Sequence, residues 1–238
     1  MESPAAAEVT PRPAATVITL RPTGDTFEVL LVRRPLQARF MGGARVFPGG
    51  AVDPADSDPA TRQVVRWSGD ADEFGWRAAA LRELAEEVGI AVTTAGVLAL
   101  PPRDVYPALI AAGAFLDGDA LQYVSNWVTP RGLPIRFDTR FYLLAIDGES
   151  RARPDRTEVH DPVWVTPQYA LRAAASGEWL VEVPTRVHLE MLATARSVED
   201  ALATAAAAIP PRVEPQLRLE PDGAWTVLLP GDPGYAAG

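Results

Sequence analysis

Two runs of apolar residues open the readable part of the chain: Ala15-Thr16-Val17-Ile18-Thr19-Leu20 and Phe27-Glu28-Val29-Leu30-Leu31-Val32. Their β-branched content predicts strands, and Pro22-Thr23-Gly24-Asp25 between them predicts a hairpin turn. Residues 1–13 are rich in Pro and Ala without a period and are expected to form a disordered tail. The next strong period is helical: Ala80, Leu81, Leu84 and Val88 recur as one apolar stripe, so an amphipathic helix is expected up to Val88. Gly89 then serves as its C-terminal stop, and Ile90-Ala91-Val92 begins another strand.

Further along, residues 59–67 read as a short helix, 96–100 as a strand, and 106–127 as one or two helices with a break near Gly118 and Asp119. Residues 136–145 alternate at first and then become continuously apolar, which predicts a central strand. A strand is expected around 158–167, followed by helices from Pro167 to Ala175, from Val183 to Ala195 and from Val198 to Ala208. Residues 213–229 read as a hairpin turning at Pro221-Asp222-Gly223. At 238 residues one domain is expected, over 14–238, although the length allows two.

Composition narrows the function. A net charge of −9 and a pI near 4.8 argue against nucleic acid or an anionic membrane as partner. There is no cysteine, which excludes disulfides, zinc-thiolate sites and thiol nucleophiles. All 22 basic residues are Arg, so a Walker-type lysine and a lysine Schiff base are excluded too. With two histidines, His160 and His188, a Ser/His/Asp hydrolase has little to work with. No apolar run approaches membrane-spanning length and no leader-like start is present, so a soluble cytoplasmic protein is expected.

The chemistry concentrates in Arg82-Glu83-Leu84-Ala85-Glu86-Glu87-Val88-Gly89-Ile90. Glu83, Glu86 and Glu87 stand at i, i+3 and i+4, on one side of a helix, where like charges repel. A hard divalent ion such as Mg2+ relieves that repulsion, because it prefers carboxylate oxygens and keeps waters that can meet phosphate. Upstream, Val46-Phe47-Pro48-Gly49-Gly50 is an apolar strand end running into glycines that permit close backbone approach. Between Leu30 and Val46 the chain is rich in Arg and Gly, and guanidinium forks bind phosphate oxygens in pairs.

These segments together resemble the Nudix hydrolases, whose box reads G-x5-E-x7-R-E-U-x-E-E-x-G-U with U aliphatic. Arg82 through Ile90 match every fixed position of its second half. The first half departs: Asp56 stands where the family has Glu, and 25 residues, 57–81, stand where the pattern has seven. Leu30, Leu31, Arg39, Gly43 and Phe47-Pro48-Gly49-Gly50 fall at the spacing of the signature that precedes the box in coenzyme A diphosphatases. The split box and Phe40-Met41-Gly42-Gly43 look most like the peroxisomal-type branch.

The resemblance implies an α/β/α sandwich with a mixed β-sheet over about 14–175, carrying helical insertions and a C-terminal helical and hairpin extension. It implies Mg2+ or Mn2+ held by Glu83, Glu86, Glu87, Gly49 and Glu158, with Asp161 as substitute for Glu158. Arg82 is expected to orient carboxylates, and Glu83 or Glu158 to accept a proton from water. Arg39, Gly43, Arg45 and Gly50 are the expected substrate-binding positions. Arg136 and Arg140 are expected either near phosphate or paired with neighbouring carboxylates. The implied substrate is a nucleoside diphosphate derivative, coenzyme A or a thioester first, with ADP-ribose, NADH or a nucleotide as alternative. A homodimer is compatible with all of this.

Overall fold

A computed structural model describes residues 9–37, 41–100, 104–147, 152 and 159–236. The strands are β1 (Arg12–Thr23), β2 (Thr26–Arg33), β3 (Arg45–Val46), β4 (Gly49–Ala51) and β5 (Val65–Arg66), followed by the helix α1 (Phe74–Val88). Then come β6 (Ile90–Thr93), β7 (Gly96–Ala99), α2 (Val105–Ala112), β8 (Leu116–Asp117), β9 (Gln122–Val128), β10 (Phe137–Ala145) and β11 (His160–Val165). The chain closes with α3 (Pro167–Ala175), α4 (Val183–Leu192), α5 (Val198–Ala207), β12 (Arg212–Val213), β13 (Gln216–Leu219) and β14 (Trp225–Leu228).

The main sheet has the order β11-β2-β1-β10-β9-β12, with β3 added to β2 and β4 to β1. It is mixed, since β1 and β10 run parallel while β1 and β2 are antiparallel. Strand alternation sorts its side chains onto two faces. Ala15, Val17, Leu30, Val32, Tyr142 and Leu144 pack with α1, and Ile18, Leu20, Val29, Leu31, Phe141 and Leu143 pack with residues of α3, α4 and α5. The result is the expected α/β/α sandwich, and α4 and α5, expected as an appendage, supply much of its second outer layer. A smaller sheet, β5-β8-β6-β7, closes the far side of α1.

Four expectations change. The helix expected over 106–127 ends at Ala112, because Gly113 is left-handed (φ 62°), and Gln122–Val128 instead lies in the main sheet beside β10. Its Tyr, Val and Trp suit a strand once a neighbour supplies the hydrogen bonds. Residues 59–67 give a single 3-10 turn, Thr61–Gln63, and then β5. Arg12 and Pro13, expected in the tail, instead begin β1 and pair with Phe137 and Asp138. Finally, α1 is not a half-exposed amphipathic helix: thirteen of its fifteen residues are buried. Its acids therefore sit in the interior, where their partners matter.

The insertion that splits the box is fastened by cation–π contacts, Arg77 over Trp67 at 3.6 Å and Arg66 over Phe115 at 3.8 Å. Arg77 also donates to the carbonyls of Gly118 and Leu121.

Candidate functional site

Gly89 ends α1 in the left-handed conformation (φ 71°), as its place in the sequence predicts. The helix packs on β1 and β4, and the register of that pair decides what α1 meets. Val17 N–H donates to Pro48 O, and Val52 N–H to Pro13 O. In this antiparallel ladder the pairs Thr16–Gly49 and Ala14–Ala51 are then the non-hydrogen-bonded ones, so the polar groups of Gly49 and Ala51 turn outward from β1. They turn towards α1: Gly49 N–H donates to Glu87 Oε2 at 2.9 Å, and Ala51 O accepts from Arg82 Nη2 at 3.0 Å. The Gly49 carbonyl lies on the same side of the strand as its N–H.

The paired glycines are required by space, since neither has a positive φ. A Cβ at Gly49 would lie 2.4 Å from Ala15 O, and one at Gly50 would lie 2.5 Å from Glu83 Oε1. Gly50 is thus the floor on which the Glu83 carboxylate rests.

Arg82 organises the acids. It uses all five of its N–H donors: Nε and Nη2 grip Asp56 at 2.8 and 3.0 Å, Nη2 also reaches Ala51 O, and Nη1 bridges Glu83 Oε1 and Glu86 Oε2, both at 2.8 Å. Burial works against its charge, but the hydrogen bonds it donates to Asp56 and the negative charge of Glu83 more than offset that, so the guanidinium is held above its ordinary value. Asp56 is completely buried and also accepts from Asp53 N–H at 2.7 Å and Tyr106 O–H at 2.6 Å. The residue where the resemblance was weakest therefore meets Arg82 across the whole insertion. Burial, and then the charge of Asp56, raises the Tyr106 phenol, which stays protonated and can donate.

Glu83 and Glu86 thus share the Arg82 guanidinium, while Glu87 meets Gly49 and Glu83 lies against Gly50. Among the described residues no three acidic or imidazole side chains enclose a space for an ion as they stand, and Arg82 Nη1 lies between Glu83 and Glu86. The donor set still fits a hard divalent ion: carboxylates on adjacent turns of one helix and an outward strand carbonyl, with more negative charge than one guanidinium neutralises.

The remaining expected residues lie elsewhere. Arg45 is buried and committed: its guanidinium contacts Asp161 through Oδ2 at 2.6 Å and through the main-chain carbonyl, and lies over the Trp179 ring at 4.9 Å. In place of a phosphate contact it pins β3 to β11. Asp161, the substitute for Glu158, is accordingly taken by Arg45, with Arg33 at 3.9 Å. Gly43 closes the loop after β2, with φ 82° and its N–H on Arg34 O. Arg39 and Glu158 lie outside the described residues. Arg136 pairs with Glu214 and Arg140 with Glu73, so both take the carboxylate alternative. Tyr106 and the Asp56–Arg82 tie were not legible as a unit, since nothing local links Tyr106 to position 56. His188 is a structural residue: buried, stacked on Phe141, and bonded to Ser125 Oγ and Pro184 O.

Known proteins resemble this chain in sequence and in fold. The NUDIX domain model matches residues 10–182. "Putative nudix hydrolase 7" of Caenorhabditis elegans is 29% identical over 76% of this chain, and the chain spans 60% of that relative's length. The human acyl-coenzyme A diphosphatase NUDT19 is 27% identical over 90% of this chain and 74% of its own. The crystal structure of a NUDIX hydrolase from Alicyclobacillus acidocaldarius superposes with a TM-score of 0.70 at 31% identity, covering 84% of this chain and 99% of that one. The chain belongs to the Nudix family.

Proposed function

We propose that this protein is a divalent-cation-dependent hydrolase of a diphosphate linkage, and that its substrate is coenzyme A or an acyl thioester of it. Cleavage would give adenosine 3′,5′-bisphosphate and phosphopantetheine or its acylated form. The observation that carries the reading is that Glu83 lies against Gly50 and Glu87 accepts from Gly49 N–H, while Arg82 ties Glu83 to Glu86. The coenzyme A assignment is supported by the similarity to human NUDT19, named an acyl-coenzyme A diphosphatase.

In this reading Glu83, Glu86, Glu87 and the Gly49 carbonyl hold Mg2+ or Mn2+, with Glu158 as an added carboxylate. The bound ion supplies neutralisation of the diphosphate and acidification of water. Gly50, lacking a side chain, leaves room for the Glu83 carboxylate beside β4. Arg82 ties Glu83 to Glu86 and holds both in place. One carboxylate must take the proton of the attacking water; Glu83 on its Gly50 floor is the candidate among the described residues, and Glu158 the alternative beyond them. Arg39, Gly43 and Gly50 remain the proposed substrate-side positions, whereas the engagement of Arg45 with Asp161 supports a structural part for it.

The test is turnover of coenzyme A, its 3′-dephospho form, an acyl thioester, ADP-ribose, NADH and a nucleoside triphosphate, each with Mg2+ and Mn2+. A clear preference for coenzyme A over the dephospho form is expected. Equal rates on those two, or faster ADP-ribose hydrolysis, would move the substrate elsewhere within the class. No cation-dependent cleavage of any would leave a non-catalytic ligand-sensing module, the reading that the intact acids of α1 argue against.

A further inference from the structure

Arg82 faces a conflict that the hydrogen bonds resolve. Three carboxylates, those of Asp56, Glu83 and Glu86, hydrogen-bond to one guanidinium, and a fourth, Asp53, lies 3.8 Å from it. Left to Glu83 and Glu86 alone, its forked edge would swing onto them and take up their charge in pairs of strong hydrogen bonds. Asp56 prevents this by occupying the Nε–Nη2 edge, so that a single nitrogen, Nη1, is shared between the two glutamates.

Asp56 must itself be fixed to do so. Its carboxylate has no contact with solvent, and besides Arg82 its partners are the Asp53 amide on Oδ2 and the Tyr106 hydroxyl on Oδ1. The first lies within the same 3-10 turn, Pro54–Ser57 and its cap. The second comes from the first turn of α2, in a different part of the chain. A carboxylate oxygen enclosed without water is costly to leave short of a donor, so removing this hydroxyl frees Asp56 to shift, and Arg82 with it.

We infer that Tyr106 is a positioning residue for the acidic site: its hydroxyl fixes the Asp56–Arg82 tie and thereby leaves the charge of Glu83 and Glu86 to a divalent cation. This rests on the cation reading given above. It also makes α2, through one side chain, a structural support of the site.

The experiment measures Mn2+ binding to the full-length protein without substrate, from the electron paramagnetic resonance signal of free Mn2+, for wild type, Tyr106→Phe and Tyr235→Phe. The last is a control that removes a tyrosine hydroxyl bonded to Glu214 O, away from the acids. Tyr106→Phe is expected to weaken Mn2+ binding about fivefold or more, with kcat largely recovered at saturating Mn2+, while Tyr235→Phe binds as wild type does. Unaltered affinity in a folded Tyr106→Phe variant overturns the inference alone, and so does an equal loss in Tyr235→Phe. A wild-type protein that binds no Mn2+ overturns it together with the cation reading.

Discussion

The Arg82 guanidinium lies edge-on against the Asp56 carboxylate, 26 residues earlier in the chain, with Nε–Oδ1 at 2.8 Å and Nη2–Oδ2 at 3.0 Å. Both groups are buried, so each is the main compensation for the other's lost hydration. Asp56→Asn or Arg82→Lys is expected to cost about 3–5 kcal/mol of folding stability, as for other buried pairs broken on one side. Lysine does not rescue, because a point charge cannot reproduce a five-donor fork. Urea unfolding checks this; a loss under about 1 kcal/mol in both would mean the pair is solvated in solution.

Glu86 and Glu87 differ in setting but share one proposed task. Glu86 is the more exposed and is held by Arg82, whereas Glu87 is buried and accepts from Gly49 N–H. Glu86→Gln and Glu87→Gln keep shape while removing charge, and each is expected to lower kcat by about 10²-fold or more. Circular dichroism should show both folded. Undiminished turnover in both variants would remove these residues from the chemistry.

Adjacent glycines are expected to fail in different ways. In Gly50→Ala the new methyl meets the Glu83 carboxylate, a side chain able to move, so activity falls while the protein stays folded. In Gly49→Ala it meets the Ala15 carbonyl and the Thr16 backbone, which cannot yield without breaking the β1–β4 pair. Melting temperature and kcat measured side by side separate the two. Equal losses of stability would show that the Glu83 carboxylate is as fixed as backbone.

His188 predicts an acid-sensitive fold. Burial pushes its imidazole down from 6.5 to about 4, opposed by its hydrogen bond to Pro184 O. Between those values the unfolded chain binds a proton that the folded one excludes. Stability from this residue is therefore fully present above pH 6.5 and is lost as pH falls towards 4, by on the order of 3 kcal/mol. Unfolding free energies across that range should show the slope in wild type and a shallower one in His188→Gln. Parallel curves would mean that other groups carry the acid sensitivity.

Local patterns reached far in this chain. The β1–β2 hairpin, the stop at Gly89, the three C-terminal helices and the turn at Gly223 all follow from residues whose conformational preferences need no distant partner. So does the grouping of Glu83, Glu86 and Glu87, because helical geometry alone brings i, i+3 and i+4 together. Gln122–Val128 escaped for the opposite reason: its preference is decided by the hydrogen bonds β10 provides, and a run beside a helix with a modest period reads the same either way.

The residue types and spacing by themselves determined that three acids share one helix beside a glycine corner, and that thiol and lysine chemistry are absent. Only the folded chain decided what those acids touch. Whether Asp56 belongs with Arg82, whether Arg45 faces a ligand or Asp161, and whether Tyr106 joins the site depend on pairings between residues 26, 116 and 50 positions apart. Sequence periodicity carries information over a few residues along one element. Contacts of that separation are set instead by how the sheet, the helices and the inserted turn come together in the folded chain.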